Sequence, residues 1–239
     1  MAGFLAKPII MTIQDILIYT LLALGASFSF SKNKLTLPGA IIGLLVGLLI
    51  YEGTGLTGFT MLCLFFIAGS WATSWHKEKK NINEASKPRT AGQVLANGGV
   101  AAALGTFAFI KPDLSALLLV MIAGSLASAT ADTLSSELGM IYGKRFFNIL
   151  NFRKDQRGLD GVVSLEGTLI GLAGAAAIAV VFWLHTGWSN VAIIIIAGFI
   201  GNLIDSVLGA AWERKRLIGN NVVNLLNTLT GALVCYILA

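Results

Sequence analysis

Charge is what this chain has least of: 12% of its 239 residues are Asp, Glu, Lys or Arg, against 56% hydrophobic ones, where a soluble domain carries roughly 25% charged residues. That scarcity excludes an ordinary soluble domain, and the apolar runs leave no stretch over for a separate one. Cysteine is nearly absent as well. Cys63 and Cys235 stand inside apolar runs without metal-ligand or CxxC spacing, so both read as packing residues. His76 and His185 sit at the ends of apolar runs with no second ligand at metal spacing and read as interfacial. There is no GxxxxGK[ST] phosphate loop (Gly143-Lys144-Arg145 is the nearest approach and does not fit), no HExxH, no Gly-x-Ser-x-Gly, no Rossmann fingerprint in a strand–helix setting (Gly53-Thr-Gly-Leu-Thr-Gly58 has the spacing but joins two apolar runs) and no DxxxD or DDxxD pair. Any chemistry must therefore be assembled from side chains on separate helices.

What the chain has in quantity is apolar runs of the length that spans a bilayer core about 30 Å thick at 1.5 Å per helical residue. They cover Ile13 to Phe30, Leu35 to Tyr51, Leu56 to Trp75, Thr90 to Phe109, Leu114 to Thr133, Val162 to Leu184, Asn190 to Ala211 and Val222 to Leu238. The expected fold is an all-α, polytopic transmembrane bundle of about eight spans, one integral membrane domain over residues 1–239. The first run has small residues near its end, as a signal peptide would, but keeping it as a helix completes a charge pattern. Lys32 and Lys34 fall in the first loop, Lys77, Lys79, Lys80, Lys87 and Arg89 in the third, Lys144, Arg145, Arg153, Lys154 and Arg157 in the fifth, and Arg214, Lys215 and Arg216 in the seventh. Those are 15 of the 17 basic residues, and the even-numbered loops hold only Lys111. One missed or extra helix would scramble this alternation, so odd loops are expected in the cytoplasm and both termini outside. The formal charge of +5 thus sets topology, and nucleic acid is not an expected partner.

Among the acidic residues that fall within or at the ends of apolar spans are Asp132, Glu137, Glu166 and Asp205. A carboxylate at the bilayer centre costs about 2.5–3.5 kcal/mol on insertion scales, which makes each a functional candidate. All four approach the face that carries the basic loops. Acid inside and base at the mouth suggests a metal and a phosphate. Arg89, Gln93 and Asn97 form one stripe at the start of the fourth span, Asn220, Asn224 and Asn227 another at the start of the eighth, and Asn202 shares a face with Asp205. In an ideal helix Glu137 points about 140° away from Asp132, so either the fifth helix unwinds there or the two acids serve different sites. The glycine series Gly39, Gly43, Gly47 and Gly167, Gly171, Gly174 suit close helix packing. A weak echo relates residues 89–139 to 157–212 and suggests a repeated helix pair.

Four ordered motifs carry a family resemblance: Arg89-Thr-Ala-Gly-Gln-Val-Leu-Ala-Asn-Gly-Gly, Ala129-Thr-Ala-Asp-Thr-Leu-Ser-Ser-Glu-Leu-Gly, Asp160-Gly-Val-Val-Ser-Leu-Glu-Gly-Thr and Asn202-Leu-Ile-Asp-Ser-Val-Leu-Gly-Ala. From about Leu35 to the C terminus the chain resembles the integral membrane family containing plastid phytyl-phosphate kinase and the transmembrane-protein-nineteen group, distantly related to phytol and dolichol kinases. The resemblance implies phosphoryl transfer from a nucleoside triphosphate, CTP favoured, to a prenyl monophosphate such as phytyl or geranylgeranyl phosphate. Asp132 and Asp205, with Glu137 or Glu166, are then expected to hold Mg²⁺, with Asp132, Glu137 and Asp205 as the metal set. Arg89, Lys144, Arg153, Lys154 and Arg157 are expected on phosphates, and Gln93, Asn97, Asn202, Asn221 and Asn224 around the nucleotide. The expected partners are the nucleotide, the lipid phosphate and the bilayer; oligomeric state stays open. Two other activities fit the same residues: a kinase for the free prenyl alcohol, in which a carboxylate acts as base, and a small ion-coupled transporter or lipid flippase, whose site would sit nearer the midplane.

Overall fold

The computed structural model describes residues 11–80 and 87–239. Its long elements are α1 (Ile13–Ser31), α2 (Leu37–Ser74), the short α3 (Lys77–Lys80), α4 (Ala91–Ile110), α5 (Ser115–Tyr142), α6 (Leu165–Thr186), α7 (Val191–Leu208) and α8 (Asn220–Leu238). Polar residues cap the starts: Thr12 with Asp15 and Thr90 with Gln93 form reciprocal capping boxes, and the Thr36 and Ser164 hydroxyls accept from Gly39 and Gly167. These caps lie where the apolar runs begin. They tie up amide hydrogens that would otherwise be left unpaired at the membrane surface.

Among the described residues seven helices are long and apolar enough to cross a membrane, yet they make eight crossings. The α2 helix has 38 residues, about 57 Å if straight and nearly twice a bilayer core. It breaks at Gly55, whose φ of 62° and ψ of −148° lie in a region open essentially only to glycine. Beyond the break the chain doubles back. The Tyr51 and Phe59 rings meet edge to face at 6.3 Å, and Lys34, just before α2, hydrogen-bonds Ser74 at its far end. Gly55 is thus the second loop.

The four odd loops gather on one face. Thr36 N–H donates to Arg89 carbonyl at 3.0 Å and Arg89 N–H to Lys34 carbonyl at 2.9 Å, joining the first loop to the third. Arg157 of the fifth donates to the Lys79 carbonyl at 3.2 Å, and Asp155 pairs with Arg214 of the seventh at 2.8 Å. Within the fifth loop, strands β1 (Phe147–Asn148) and β2 (Val162–Val163) pair antiparallel and hold the loop against the bundle end.

The α5 helix occupies the centre, contacting α2, α4, α6, α7 and α8. Its inner surface is small: Ala123, Gly124, Ala127, Ser128 and Ala131 are buried. A methyl group added at Gly124 would strike the Gly231 carbonyl of α8, one at Gly174 the Thr130 and Leu134 side chains, and one at Gly198 of α7 the Ala127 and Ala175 side chains. In lipid, where burial of apolar surface does not separate protein from solvent, this backbone-to-backbone approach supplies the packing. The fifth crossing is also longer than its hydropathy indicates. It continues more than two turns past Thr133, because Ser135, Ser136 and Glu137 lower the hydropathy of a stretch that stays helical. The helix therefore does not unwind at Glu137.

Candidate functional site

On the face of the odd loops the bundle opens into a cavity of about 810 Å³. Its floor is made by α5 and α7. Asp132 projects from α5 and Asp205 from α7, and their carboxyl groups lie within hydrogen-bonding reach of each other. Packing of α5 on α7 brings them together. Asn227 of α8, fully buried, donates from Nδ2 to Asp205 Oδ1 at 3.4 Å. The Asn227 side-chain oxygen in turn accepts from the Ser128 hydroxyl. The Asp205 carboxyl is thus oriented by a chain of buried polar groups reaching across three helices.

Arg89 forms one wall. Its backbone is bridged in parallel to Leu35, so its side chain starts from a fixed point just before α4. The guanidinium runs over Gly69 of α2, where an added Cβ would come 3.2 Å from Nη2, and donates to the Thr73 hydroxyl at 3.3 Å. Burial works to lower the Arg89 pKa, and the nearby Glu137 and Asp132 carboxylates oppose that shift and hold the charge. Gln93 and Asn97 continue this wall, and Asn97 Oδ1 is buried without a hydrogen-bond partner among the described residues. Asn202 is buried below Gly171, and Asn220, Asn221 and Asn224 line the rim contributed by α8.

The remaining wall is a feature that apolar runs do not disclose. The α7 helix ends in a single π turn, Gly209–Glu213, an irregularity often found at functional sites. The fifth loop folds onto it through Gly161, whose φ is 70° and where any side chain would strike Ala210. This places Asp160 beside Glu213, both facing the cavity. Neither was expected as a site residue. Asp160-Gly161 opens one of the four motifs, and that glycine was the available signal.

Other expected residues are elsewhere. Glu166, in the first turn of α6, does not line the cavity; its carboxylate accepts the Lys144 N–H at 3.2 Å and secures the loop to the helix start. Lys144, Arg153 and Lys154 are exposed outside the cavity, and Arg157 is committed to the Met140 and Lys79 carbonyls at 3.1 and 3.2 Å. The expected three-carboxylate metal set is not assembled: among the described residues no three His, Cys, Asp or Glu side chains converge on one point. Asp132 and Asp205 pair, and Glu137, five residues further along α5, lies near both Asp132 and Arg89. The cavity lining thus carries five carboxylates, Asp132, Glu137, Asp160, Asp205 and Glu213, against two cations, Lys87 and Arg89.

Residues 20–232 match the profile of a family described as integral membrane protein DUF92. The chain is 33% identical over 230 residues to the uncharacterized membrane protein MJ0933 of Methanocaldococcus jannaschii, covering 95% of this chain and 94% of that one. It is 31% identical over 216 residues to the chloroplastic protein VTE6 of Arabidopsis thaliana, covering 85% of this chain and 65% of the plant protein. It is 32% identical over 224 residues to the membrane protein sll0875 of Synechocystis, with 90% and 85% covered. No solved structure matches the chain.

Proposed function

We propose that this chain, which belongs to the integral membrane protein family DUF92, is a membrane-embedded kinase that transfers the γ-phosphoryl group of a nucleoside triphosphate, CTP favoured, to a prenyl monophosphate. The observation that carries this reading is the Asp132–Asp205 pair on the floor of a polar cavity that opens at one membrane face. Two facing carboxylates suit Mg²⁺, which is commonly bound by one or two carboxylates together with substrate phosphates and keeps water in its other positions. When bound, Mg²⁺ supplies charge neutralisation on the phosphate oxygens. The charge balance of the lining supports the same reading. With five acidic side chains against two cations among the described lining residues, the net charge stays negative even with one proton shared between Asp132 and Asp205, so the cavity would repel a bare polyphosphate and accept one accompanied by divalent cations.

The protein groups then have distinct tasks. Arg89, fixed at its backbone and along its side chain, offers paired N–H donors to phosphate oxygens. Lys87 adds charge at the rim. Asn97, Asn202, Asn220, Asn221 and Asn224 supply amide donors and acceptors for the nucleotide and for the acceptor phosphate. Asn227 and Ser128 hold Asp205 in place. A prenyl monophosphate already presents an anionic oxygen, so alignment and neutralisation are the main requirements and no strong base is needed. The lipid tail extends into the bilayer from a phosphate held at the face. We place that face in the cytoplasm, with Ile13 and Leu238 at the opposite surface, because the basic loops cluster around it.

The test is transfer by purified protein in detergent, with each nucleoside triphosphate and Mg²⁺, to phytyl, geranylgeranyl and farnesyl monophosphates and to the corresponding alcohols. Diphosphate formation from a monophosphate supports the reading. Product only from the alcohols would shift the acceptor and give one carboxylate of the pair the role of base. No transfer from folded protein to any acceptor would reject kinase activity.

A further inference from the structure

The cations Lys144, Arg145, Arg153 and Lys154 of the fifth loop do not line the cavity, and they flank the apolar residues in Lys144-Arg-Phe-Phe-Asn-Ile-Leu-Asn-Phe-Arg-Lys154. Phe147, Leu150 and Phe152 are 37%, 51% and 75% exposed. Lys144, Arg145, Arg153 and Lys154 are exposed too, and the Arg153 and Lys154 side chains have no acidic or hydrogen-bonding partner among the described residues. Held in water, three large apolar side chains on one short turn would be unfavourable.

The turn is nonetheless built. Asn148 is buried at its base, accepts the Leu150 N–H on Oδ1 at 2.9 Å and donates from Nδ2 to Asp155 at 3.4 Å. Its backbone carbonyl accepts the Phe152 N–H at 2.9 Å, and Asp155 is anchored by Arg214. Phe152 sits at a φ of 54°, a left-handed backbone that aromatic residues rarely adopt. This scaffold keeps Phe152 outside the bundle. Its level is set by its neighbours: the loop leaves α5 at Tyr142, whose hydroxyl accepts from Trp75 Nε1 at 2.9 Å beside Trp71, and re-enters at the 71% exposed Leu165. Trp and Tyr gathered at one end of a bundle mark the headgroup level of a membrane.

We infer that this turn is an interfacial anchor for anionic lipid: Leu150 and Phe152 enter the boundary between headgroups and acyl chains, and Arg153 and Lys154, with Lys144 and Arg145, bind lipid phosphates there. The occupant is the bilayer surface in which the protein sits. Because the same loop supplies Asp160 and Gly161 to the cavity wall, the anchor fixes that wall relative to the membrane. The inference needs only the membrane placement and stands apart from the kinase reading.

The experiment uses the full chain with a nitrobenzoxadiazole label at Phe152→Cys, and separately at Leu150→Cys, in bilayers of phosphatidylcholine alone or mixed with phosphatidylglycerol; label background comes from protein with only the native cysteines. The expected result is quenching by lipid-borne doxyl groups and shielding from aqueous iodide. In the anionic bilayer, adding Arg153→Gln and Lys154→Gln should lower the ratio of inserted to withdrawn loop about 25-fold, or roughly fivefold per cation lost. In phosphatidylcholine alone the same pair should change it little. Free access of iodide to both labels in both bilayers would overturn the anchor. So would shielding of the labels in detergent by Mg–CTP, which would assign these cations to the nucleotide.

Discussion

Replacing Arg89 separates two roles that one side chain combines. Its guanidinium holds Thr73 at 3.3 Å and lies near Glu137 and Asp132, and in the proposed reaction it also contacts phosphate. Arg89→Lys keeps the positive charge beside both carboxylates but removes the planar fork. A hydrogen bond to a charged group is worth about 1.5–3 kcal/mol, so kcat/KM should fall about 10- to 150-fold. Tm in detergent should stay close to that of the parent protein. Arg89→Ala removes the charge as well, so that Glu137 and Asp132 lose a nearby cation, and should lower Tm. Combining it with Glu137→Gln should restore much of the stability and none of the activity. Steady-state transfer rates and thermal unfolding of the four proteins decide the matter. Parental kcat/KM in Arg89→Lys, or activity regained in Arg89→Ala with Glu137→Gln, would refute a phosphate contact and leave Arg89 a purely structural cation.

Three further outcomes follow from single contacts. Gly55→Ala forces a side chain into φ 62°, ψ −148° and should lower stability by about 1–3 kcal/mol, measured as a fall in Tm; an unchanged Tm would mean that the α2 hairpin turns elsewhere. Asn227→Ala removes the donor to Asp205 and the side-chain acceptor of the Ser128 hydroxyl, which keeps its bond to the backbone carbonyl of residue 227 at 3.1 Å; kcat should drop with KM for nucleotide nearly constant, whereas a rise in KM alone would place Asn227 in binding. Hydrogen bonding to Arg214 holds the Asp155 carboxyl below the usual carboxylate range. A lowered folded-state pKa contributes stability that is present above about pH 4 and lost as pH falls through the folded value. Protease cleavage in the fifth loop should therefore speed up on acidification below about pH 4, and Asp155→Asn should be cleaved quickly at every pH; identical pH profiles would show that this pair does not clasp the loop.

The eight crossings and the face of the site were legible because apolar run length and loop charge are both periodic along the sequence, and each checks the other. Asp132 and Asp205 were legible for a related reason, since an ionised group in an apolar run is costly unless it has a partner. The direction in which loop side chains point has no such period. Nothing in the order Lys144 to Arg157 indicates that Arg157 turns back to the Met140 and Lys79 carbonyls while Arg153 and Lys154 face out. Asp160 and Glu213 escaped for the same reason. They reach the cavity only because Gly161 and the π turn at Gly209 let two backbones meet, a contact between distant segments that neither announces alone. Glu166 shows the converse: it has the position of a site acid, but its local bond to the Lys144 N–H satisfies it at a helix start.

The most direct test of the account is γ-phosphoryl transfer to phytyl monophosphate by the purified protein and by Asp132→Asn, Asp205→Asn and the double variant across a Mg²⁺ titration, with folding verified for each. Each single substitution should lower kcat roughly 10²–10³-fold, the scale for removing one group that stabilises the transition state. The double variant should be little worse than either, because the two carboxyls act as one unit. Full turnover in either single variant at saturating Mg²⁺ would contradict the claim that this pair is the metal-holding centre of the site.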